Sequence, residues 1–234
     1  MSAKYKEIVN DLEKDLLAGK YDETKKLPRE EDLIAQYQVS RTTVRKAIAT
    51  LVNKGYVYQV QGSGIFIREA ALKDYLSLEN LKGLTRDFPD KKIDSQLIEI
   101  KVIEADEELA RKMKCEMGTP LYFLERLRKV NEESFALEYT YLNKNFIPYL
   151  NEEIVKSSIY KYITNDLKLS IGFADKVIYA DKLTIESSKL LGLEENDPAL
   201  VIENTVFLTS GSVFEVSKVI HNYKNTKLLK LANF

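Results

Sequence analysis

The sequence lacks several features that would place a protein in a membrane, in an oxidising compartment or among metalloproteins. Its 234 residues include a single cysteine, Cys115, so no internal disulfide can form, and one thiol does not make a metal site. No stretch approaches the roughly 18 uninterrupted apolar residues that a membrane-spanning helix needs. The N-terminus shows no apolar signal segment, because charged residues interrupt it from Lys4 onward. We therefore expect a cytoplasmic protein with no membrane partner, no metal and no other cofactor.

The sequence also lacks an excess of charge of either sign. Lys and Arg number 35 and Asp and Glu 36, which gives a formal net charge of -1 and no general attraction to nucleic acid. The balance is uneven along the chain, because no Asp or Glu lies between Leu33 and Arg68. The basic residues of that stretch are Arg41, Arg45, Lys46, Lys54 and Arg68. Basic residues without acidic neighbours attract phosphates, so this stretch is a candidate nucleic-acid surface.

The same part of the chain, from Leu27 to Ile67, predicts a helix, a tight turn, a second helix and a two-stranded wing. Ser40 is a natural N-cap for the second helix, which should end at Gly55, a residue type favoured just past a helix C-terminus. A buried stripe recurs at three- and four-residue spacing through Val44, Ile48, Leu51 and Val52. The wing turn contains two glycines, which let a backbone approach a partner closely.

The start of the second helix carries the residues that a recognition helix would direct at DNA bases. The candidate contacts are Ser40, Arg41, Thr42, Thr43, Arg45 and Lys46 on the helix, Arg29 before the first helix, and Gln61, Gly62 and Gly64 in the wing turn. Arginine can make paired hydrogen bonds to guanine, and threonine can bond a phosphate or touch a thymine methyl group. The spacing alone leaves open two ordinary packed helices with a solvated basic face.

This stretch resembles the DNA-binding domain of the GntR family of bacterial regulators. The matching residues are Leu27, Pro28, Glu30, Leu33, Ala35, Val39, Ser40, Arg41, Thr43, Val44, Arg45, Ala47, Leu51, Gly55, Gly62, Gly64 and Phe66. Arg29 departs from the serine usual in the family, which removes an expected N-cap and adds a candidate phosphate contact. The resemblance implies that Arg41, Thr43 and Arg45 contact operator DNA while Gly62 and Gly64 enter the minor groove.

The chain as a whole is predicted to have two domains joined by a linker. We assign residues 1–68 to the winged helix-turn-helix domain, 69–84 to the linker and 85–234 to a second domain. Alternating patterns predict strands near residues 98–102, 121–130, 135–142, 173–182, 200–208 and 213–223, with a helix over 152–167. The expected fold class is α+β, a mostly antiparallel sheet with flanking helices.

Two arginines on one predicted strand mark a candidate ligand site in the second domain. Arg126 and Arg128 are two residues apart, so their side chains leave the same face of a sheet and suit a phosphate or carboxylate. The opposing strand adds Glu138 and Tyr141, which could meet sugar hydroxyls. Ser158 could hold an anion at the start of a helical turn. A solvated pair of surface arginines is the alternative.

The second domain resembles the UTRA effector-binding domain of the HutC-type branch of the GntR family, whose fold resembles that of chorismate lyase. The matching segments are Gly83–Thr85, Arg126–Arg128, Ala136–Leu142, Ser158–Tyr160, Leu191–Leu193 and Phe214–Lys218. The resemblance implies that Thr85, Arg126, Arg128 and Ser158 hold a phosphate, while Glu138 and Glu215 meet a sugar. Arg86 could replace the serine and threonine cluster usual near Thr85. His221 reads more readily as a structural residue than as a ligand.

These patterns lead to the hypothesis of a ligand-responsive transcription regulator. We expect a repressor that binds a palindromic operator as a homodimer and is released by a small anionic metabolite. A sugar phosphate is the leading effector and a carboxylate the second. One alternative is a DNA-binding protein whose second domain only dimerises. An enzyme is the other alternative. The sequence argues against it, because it shows no catalytic nucleophile paired with a general base, no metal cluster and no phosphate-binding glycine loop.

Overall fold

The computed structural model describes residues 4–68, 75–78, 84–88 and 90–230. The chain divides into two compact units, one made of Met1–Glu79 with Leu228–Phe234 and the other of Asn80–Lys227. Of the predicted linker, only residues 75–78 and Leu84 belong to the described residues. In the described ranges no helix is long and apolar enough to cross a membrane.

The described residues of the first unit form three helices, a two-stranded wing and a separate strand pair. The elements are α1 (Lys4–Leu17), α2 (Glu30–Tyr37), α3 (Arg41–Asn53), β1 (Val57–Val60), β2 (Gly64–Ile67), β3 (Leu76–Ser77) and, near the C-terminus, β10 (Leu228–Leu229). β1 and β2 are antiparallel, whereas β3 and β10 are parallel. The strand pair places Leu228 and Leu229 in the first unit. From the sequence we predicted that the second domain extends to residue 234.

The two helices of the predicted DNA-binding motif begin and end where local chemistry dictates. The Ser40 hydroxyl accepts the Thr43 N–H at 3.3 Å and thereby caps α3. Before it, Gln38 takes a left-handed backbone with a φ of 51°, which turns the chain between α2 and α3. After α3, Gly55 has a φ of 75°, a conformation that glycine adopts without strain.

One hydrophobic core joins the helices to the wing. Its buried members include Ile8, Leu12, Leu16, Leu33, Val44, Ile48, Leu51, Val57, Ile65 and Ile67. Of the predicted stripe on α3, Val44, Ile48 and Leu51 are buried and Val52 is half-buried. The core leaves the opposite side of α3 exposed, which is where the basic residues lie.

The second unit is built on a six-stranded sheet, which confirms the predicted α+β class. Its elements are α4 (Leu84–Asp87), β4 (Ile93–Glu104), α5 (Glu107–Met113), β5 (Pro120–Val130), β6 (Glu133–Asn143), α6 (Glu152–Lys156), α7 (Ile159–Lys161), β7 (Ile171–Lys182), α8 (Ile185–Leu191), β8 (Pro198–Leu208) and β9 (Val213–Asn222). The strand order is β4-β5-β6-β9-β8-β7, and every neighbouring pair is antiparallel. β6 and β9 therefore lie at the centre.

Helices pack on both faces of this sheet. On one face, Val155 of α6 and Ile159 of α7 share a core with sheet residues such as Leu124, Leu142 and Phe214. On the other face, α5 and α8 cover cores that contain Leu121, Leu127, Leu137, Leu191 and Val201. We call the first face the α6 face, because α6 packs on it; Arg126, Arg128 and Glu138 lie on this face.

The prediction of one continuous helix over residues 152–167 is wrong. The chain forms α6, then α7, and then a π-helical turn at Tyr162–Asp166. The break falls at two serines, because Ser157 leaves the helical conformation with a ψ of -149° and Ser158 starts a new turn by accepting the Lys161 N–H at 3.3 Å. Serine competes for backbone hydrogen bonds in this way and so interrupts helices.

Candidate DNA interface and candidate effector site

An open groove of about 1230 Å³ lies between the start of α2, the start of α3 and the wing. Six of the ten predicted DNA contacts line it, namely Arg29, Arg41, Arg45, Gln61, Gly62 and Gly64. The other four, Ser40, Thr42, Thr43 and Lys46, lie on α3 or at its N-cap. The fold thus gathers residues from three separated segments around one surface.

The N-terminus of α3 is organised by hydroxyl groups. The Ser40 hydroxyl lies 2.8 Å from that of Thr42 and 2.9 Å from that of Thr43. Ser40 therefore shapes the helix start, while Thr42 remains exposed. The Lys46 ammonium lies 4.3 Å from the centre of the Tyr5 ring, a cation–π contact that directs this side chain towards α1.

Arg29 is the N-cap residue of α2, and its side chain makes no capping hydrogen bond. A guanidinium group carries no hydrogen-bond acceptor, so it cannot take the backbone N–H groups that a serine would. The Asp32 carboxylate instead accepts the Arg29 N–H at 3.1 Å, which is the reverse half of a capping box. The Arg29 side chain stays exposed and lines the groove.

Arg41 and Arg45 have acidic neighbours, and the expectation of a basic surface free of them is wrong. Arg45 Nε donates to both carboxylate oxygens of Glu30, at 3.0 and 3.3 Å. The nearest nitrogen of Arg41 lies 3.8 Å from Glu31. Both glutamates belong to α2, so they precede the acid-free stretch in the sequence and meet α3 only in the folded chain.

The wing tip has an open backbone. Gly62 and Gly64 have φ values of 77° and 119°, which disfavour other residue types, and a Cβ atom at either would meet nothing within 4 Å. Behind the tip, the exposed Tyr58 ring stacks on Phe66 with ring centres 5.5 Å apart. The Lys26 ammonium lies 4.6 Å from the Phe66 ring centre and adds positive charge to the base of the wing.

In the second unit, Arg126, Arg128 and Glu138 form a buried charged cluster on the α6 face. Arg126 and Glu138 are direct cross-strand partners, with a guanidinium nitrogen 2.6 Å from the carboxylate. Arg128 lies 3.3 Å from both oxygens of the same carboxylate. Arg126 also donates to the Val155 carbonyl at 3.0 Å, which ties the cluster to α6. Two positive side chains therefore share one negative partner.

Burial and charge act against each other at Glu138. Burial acts to raise the pKa of this carboxyl, but Arg126 and Arg128 outweigh it, so the pKa lies below its ordinary value. Glu138 is therefore ionised throughout the neutral range. The cluster as a whole keeps one unbalanced positive charge.

The central strand β9 places three further polar residues on the same face. Glu215, Ser217 and His221 are all buried, and the Ser217 hydroxyl donates to Glu215 at 3.2 Å. Burial raises the pKa of Glu215 to about 7, although hydrogen bonds from Tyr160 and Ser217 favour its charged form. Burial lowers the pKa of His221 to about 4, so its ring is neutral at physiological pH. Tyr160, Ser217 and His221 were not among the predicted site residues.

Three atoms of these side chains stand out because they are buried and unpaired. Nε of Arg126, Nε of Arg128 and Nδ1 of His221 have no hydrogen-bond partner among the described residues. Buried polar groups normally have partners, and each exception requires an explanation. Arg126 and His221 are only 7% and 3% exposed, so bulk water reaches neither freely. These unpaired groups make the cluster the candidate effector site of the second unit.

Four predicted effector residues remain, namely Tyr141, Ser158, Thr85 and Arg86. Tyr141 lies on the opposite face from Glu138, where its ring packs against Phe123 at 5.2 Å, so it does not join the cluster. Ser158 is exposed at the start of α7, and its oxygen already caps that turn. Thr85 and Arg86 belong to α4, and their side chains lie outside the described residues.

Comparison with known proteins agrees with both halves of this architecture. A family model described as bacterial regulatory proteins of the gntR family matches residues 4–67, and a UTRA domain model matches residues 90–227. The chain is 36% identical to YydK of Bacillus subtilis, an uncharacterized HTH-type transcriptional regulator, over 98% of both chains. The chain belongs to the GntR family of bacterial transcription regulators. Its pairing with a UTRA domain identifies the HutC-type branch.

Other GntR relatives and a solved structure extend this result. The regulator GmuR of Bacillus subtilis is 33% identical over 94% of both chains. The repressor NagR of the same species is 29% identical over 93% of this chain and 89% of its own. The crystal structure of YydK has a TM-score of 0.82 and covers 98% of this chain and 99% of that one. The chain is therefore a GntR-type transcription regulator that pairs a DNA-binding domain with a UTRA domain.

Proposed function

We propose that this regulator is a repressor that binds a palindromic operator as a homodimer and is released by a small anionic metabolite. Residues 1–68 would bind the operator through the groove residues and α3, and residues 85–234 would bind the effector. A phosphorylated sugar is the first candidate and a carboxylated metabolite the second. One small winged domain reads few base pairs, so a two-fold symmetric dimer is needed to lengthen the site.

The observation that carries the effector proposal is the sharing of one carboxylate by two buried arginines. Arg126 and Arg128 are each bonded to Glu138, and the Nε donor of each lacks a partner in the described part of the chain. An anion placed there would balance the surplus charge and accept both donors, because arginine binds carboxylate and phosphate through paired hydrogen bonds. Glu215 and His221 on the same face could contact the uncharged part of the ligand.

Repression is supported by the relatives, since NagR carries the name of a repressor. An effector that prefers the form unable to bind DNA lowers operator affinity by the difference between its affinities for the two forms. Coupling energies of this kind are about 1–3 kcal/mol, which corresponds to about 5- to 150-fold in affinity. A change of this size in operator affinity would alter operator occupancy, and it does not require a large change in the free energy of unfolding.

A ligand panel tests the proposal. Full-length protein is heated with phosphorylated sugars, small carboxylates and inorganic phosphate, because a ligand of the native state raises the melting temperature. Each hit is then added to a complex of the protein with operator DNA selected from a random pool. We expect at least one anionic compound to stabilise the protein and weaken DNA binding.

Variants decide whether the cluster is responsible. Arg128→Gln should abolish the ligand response and leave operator binding intact, whereas Arg111→Gln, an exposed arginine on α5, should change neither. Loss of operator binding together with the ligand response would contradict the site assignment. The absence of any response across the panel would favour a second domain that only dimerises.

A further inference from the structure

The contact between Arg45 and Glu30 uses only one edge of the arginine. Nε donates to both carboxylate oxygens, and no other hydrogen bond of this guanidinium occurs within the described residues. The two terminal nitrogens therefore stay available for another partner. Both residues line the groove that contains the proposed operator contacts.

A guanidinium group held at Nε presents its terminal nitrogens in a fixed direction. Recognition of guanine by arginine uses two N–H groups pointed together at O6 and N7, so it depends on the orientation of the planar fork. We propose that Glu30 is a positioning residue for operator recognition, one that orients Arg45 towards a single guanine. This inference rests on the proposed contact of Arg45 with the operator.

Stability does not account for the pair. The Arg45 side chain is 62% exposed and that of Glu30 is 26% exposed, and an ion pair with one partner this accessible to water contributes only modestly to folding. Close to DNA, the Glu30 carboxylate also repels phosphates and so weakens binding to every sequence. A carboxylate that lowers general affinity while fixing one arginine increases the difference between the correct and the wrong base pair.

The neighbouring pair provides a matched control. Glu31 follows Glu30 in α2 and carries the same charge, but its side chain is 82% exposed and lies 3.8 Å from Arg41, beyond hydrogen-bond distance. Removing either glutamate takes one negative charge from the first turn of α2. Only the removal of Glu30 takes away the bonds that orient Arg45.

The experiment measures base-pair preference with the full-length protein. The probes are a duplex selected from a random pool on the unaltered protein, a set of duplexes with each base pair changed in turn, and an unrelated duplex. Glu30→Ala, Glu31→Ala, Glu30→Gln and Arg45→Ala are compared by fluorescence anisotropy, and melting temperatures confirm that each variant is folded.

Glu30→Ala and Glu31→Ala should both bind the unrelated duplex a few-fold more tightly. Because the proposed operator is palindromic, Arg45→Ala should reduce the preference at one base pair in each half-site, by about tenfold at each, a typical value for a paired arginine contact. Glu30→Ala should reduce the preference at that same pair, while Glu31→Ala leaves it unchanged. Glu30→Gln keeps an oxygen that can accept from Nε and should recover most of the preference.

The outcomes separate this inference from the proposed DNA contacts. If Arg45→Ala changes no base-pair preference, the operator contact of Arg45 is wrong and the positioning role falls with it. If Arg45→Ala acts at one pair but Glu30→Ala does not, the positioning role alone is overturned. An equal effect of Glu31→Ala at that pair would also overturn it, because charge rather than orientation would then be the cause.

Discussion

Two buried groups on β9, Glu215 and His221, should make opposite contributions to the dependence of stability on pH. The pKa of Glu215 is raised from 4.5 to about 7 by burial. A carboxyl whose folded pKa is raised contributes stability that is present below the unfolded pKa and is lost as the pH rises through the folded pKa. Glu215 therefore destabilises the fold progressively between about pH 4.5 and pH 7.

His221 acts in the opposite direction over nearly the same range. Burial lowers the pKa of His221 from 6.5 to about 4, so its contribution is present above pH 6.5 and is lost as the pH falls towards 4. Each group changes the free energy of unfolding by about 1.4 kcal/mol per pH unit inside its window. The two contributions should largely cancel between about pH 4.5 and pH 6.5.

Single variants should reveal each contribution. Glu215→Gln lacks this titration. Its free energy of unfolding, relative to that of the unaltered protein, should therefore rise by about 2 kcal/mol as the pH increases from about 5 to about 6.5. The free energy of unfolding of His221→Phe, relative to that of the unaltered protein, should fall by about 2 kcal/mol over the same increase in pH. Urea unfolding of the full-length protein, followed by circular dichroism at several pH values, measures both. Parallel pH profiles for the two variants and the unaltered protein would refute the reasoning.

Two further predictions concern single side chains. Glu138→Ala should destabilise the protein by about 3–5 kcal/mol, because it leaves two buried guanidinium groups without their carboxylate. Glu99→Ala, which removes the exposed partner of Lys101, should cost at most about 1 kcal/mol in the same urea experiment. Ser40→Ala should lower stability by about 1 kcal/mol through loss of the α3 cap, as a thermal melt can measure, and an unchanged melting temperature would contradict that role.

Local chemistry made the first domain predictable. The cap at Ser40, the positive φ of Gly55 and the buried stripe on α3 each depend on residues close together in the chain. Sequence periodicity reports such features directly. The ion pair between Arg45 and Glu30 joins residues fifteen positions apart, so charge counting along the sequence could not detect it.

The candidate effector site was predictable only where strand alternation was applied consistently. Arg126 and Arg128 share a face because they are two residues apart, and the same rule separates Tyr141 from Glu138, which are three apart. The rule would also have placed Ser217 and His221 with Glu215 on β9. The break in the helix at Ser157 followed from competition between side-chain and backbone hydrogen bonds, which periodicity does not record.

The charges of the cluster limit the effectors that fit it. Arg126 and Arg128 exceed Glu138 by one positive charge, and Glu215 is largely uncharged below its pKa of about 7. A carboxylate balances that surplus. A phosphate monoester carries about -1.5 to -2 at neutral pH and therefore favours the protonated form of Glu215 more strongly. Binding of a phosphorylated effector should consequently weaken more steeply above pH 7 than binding of a carboxylate, because Glu215 must then keep its proton against a rising pH.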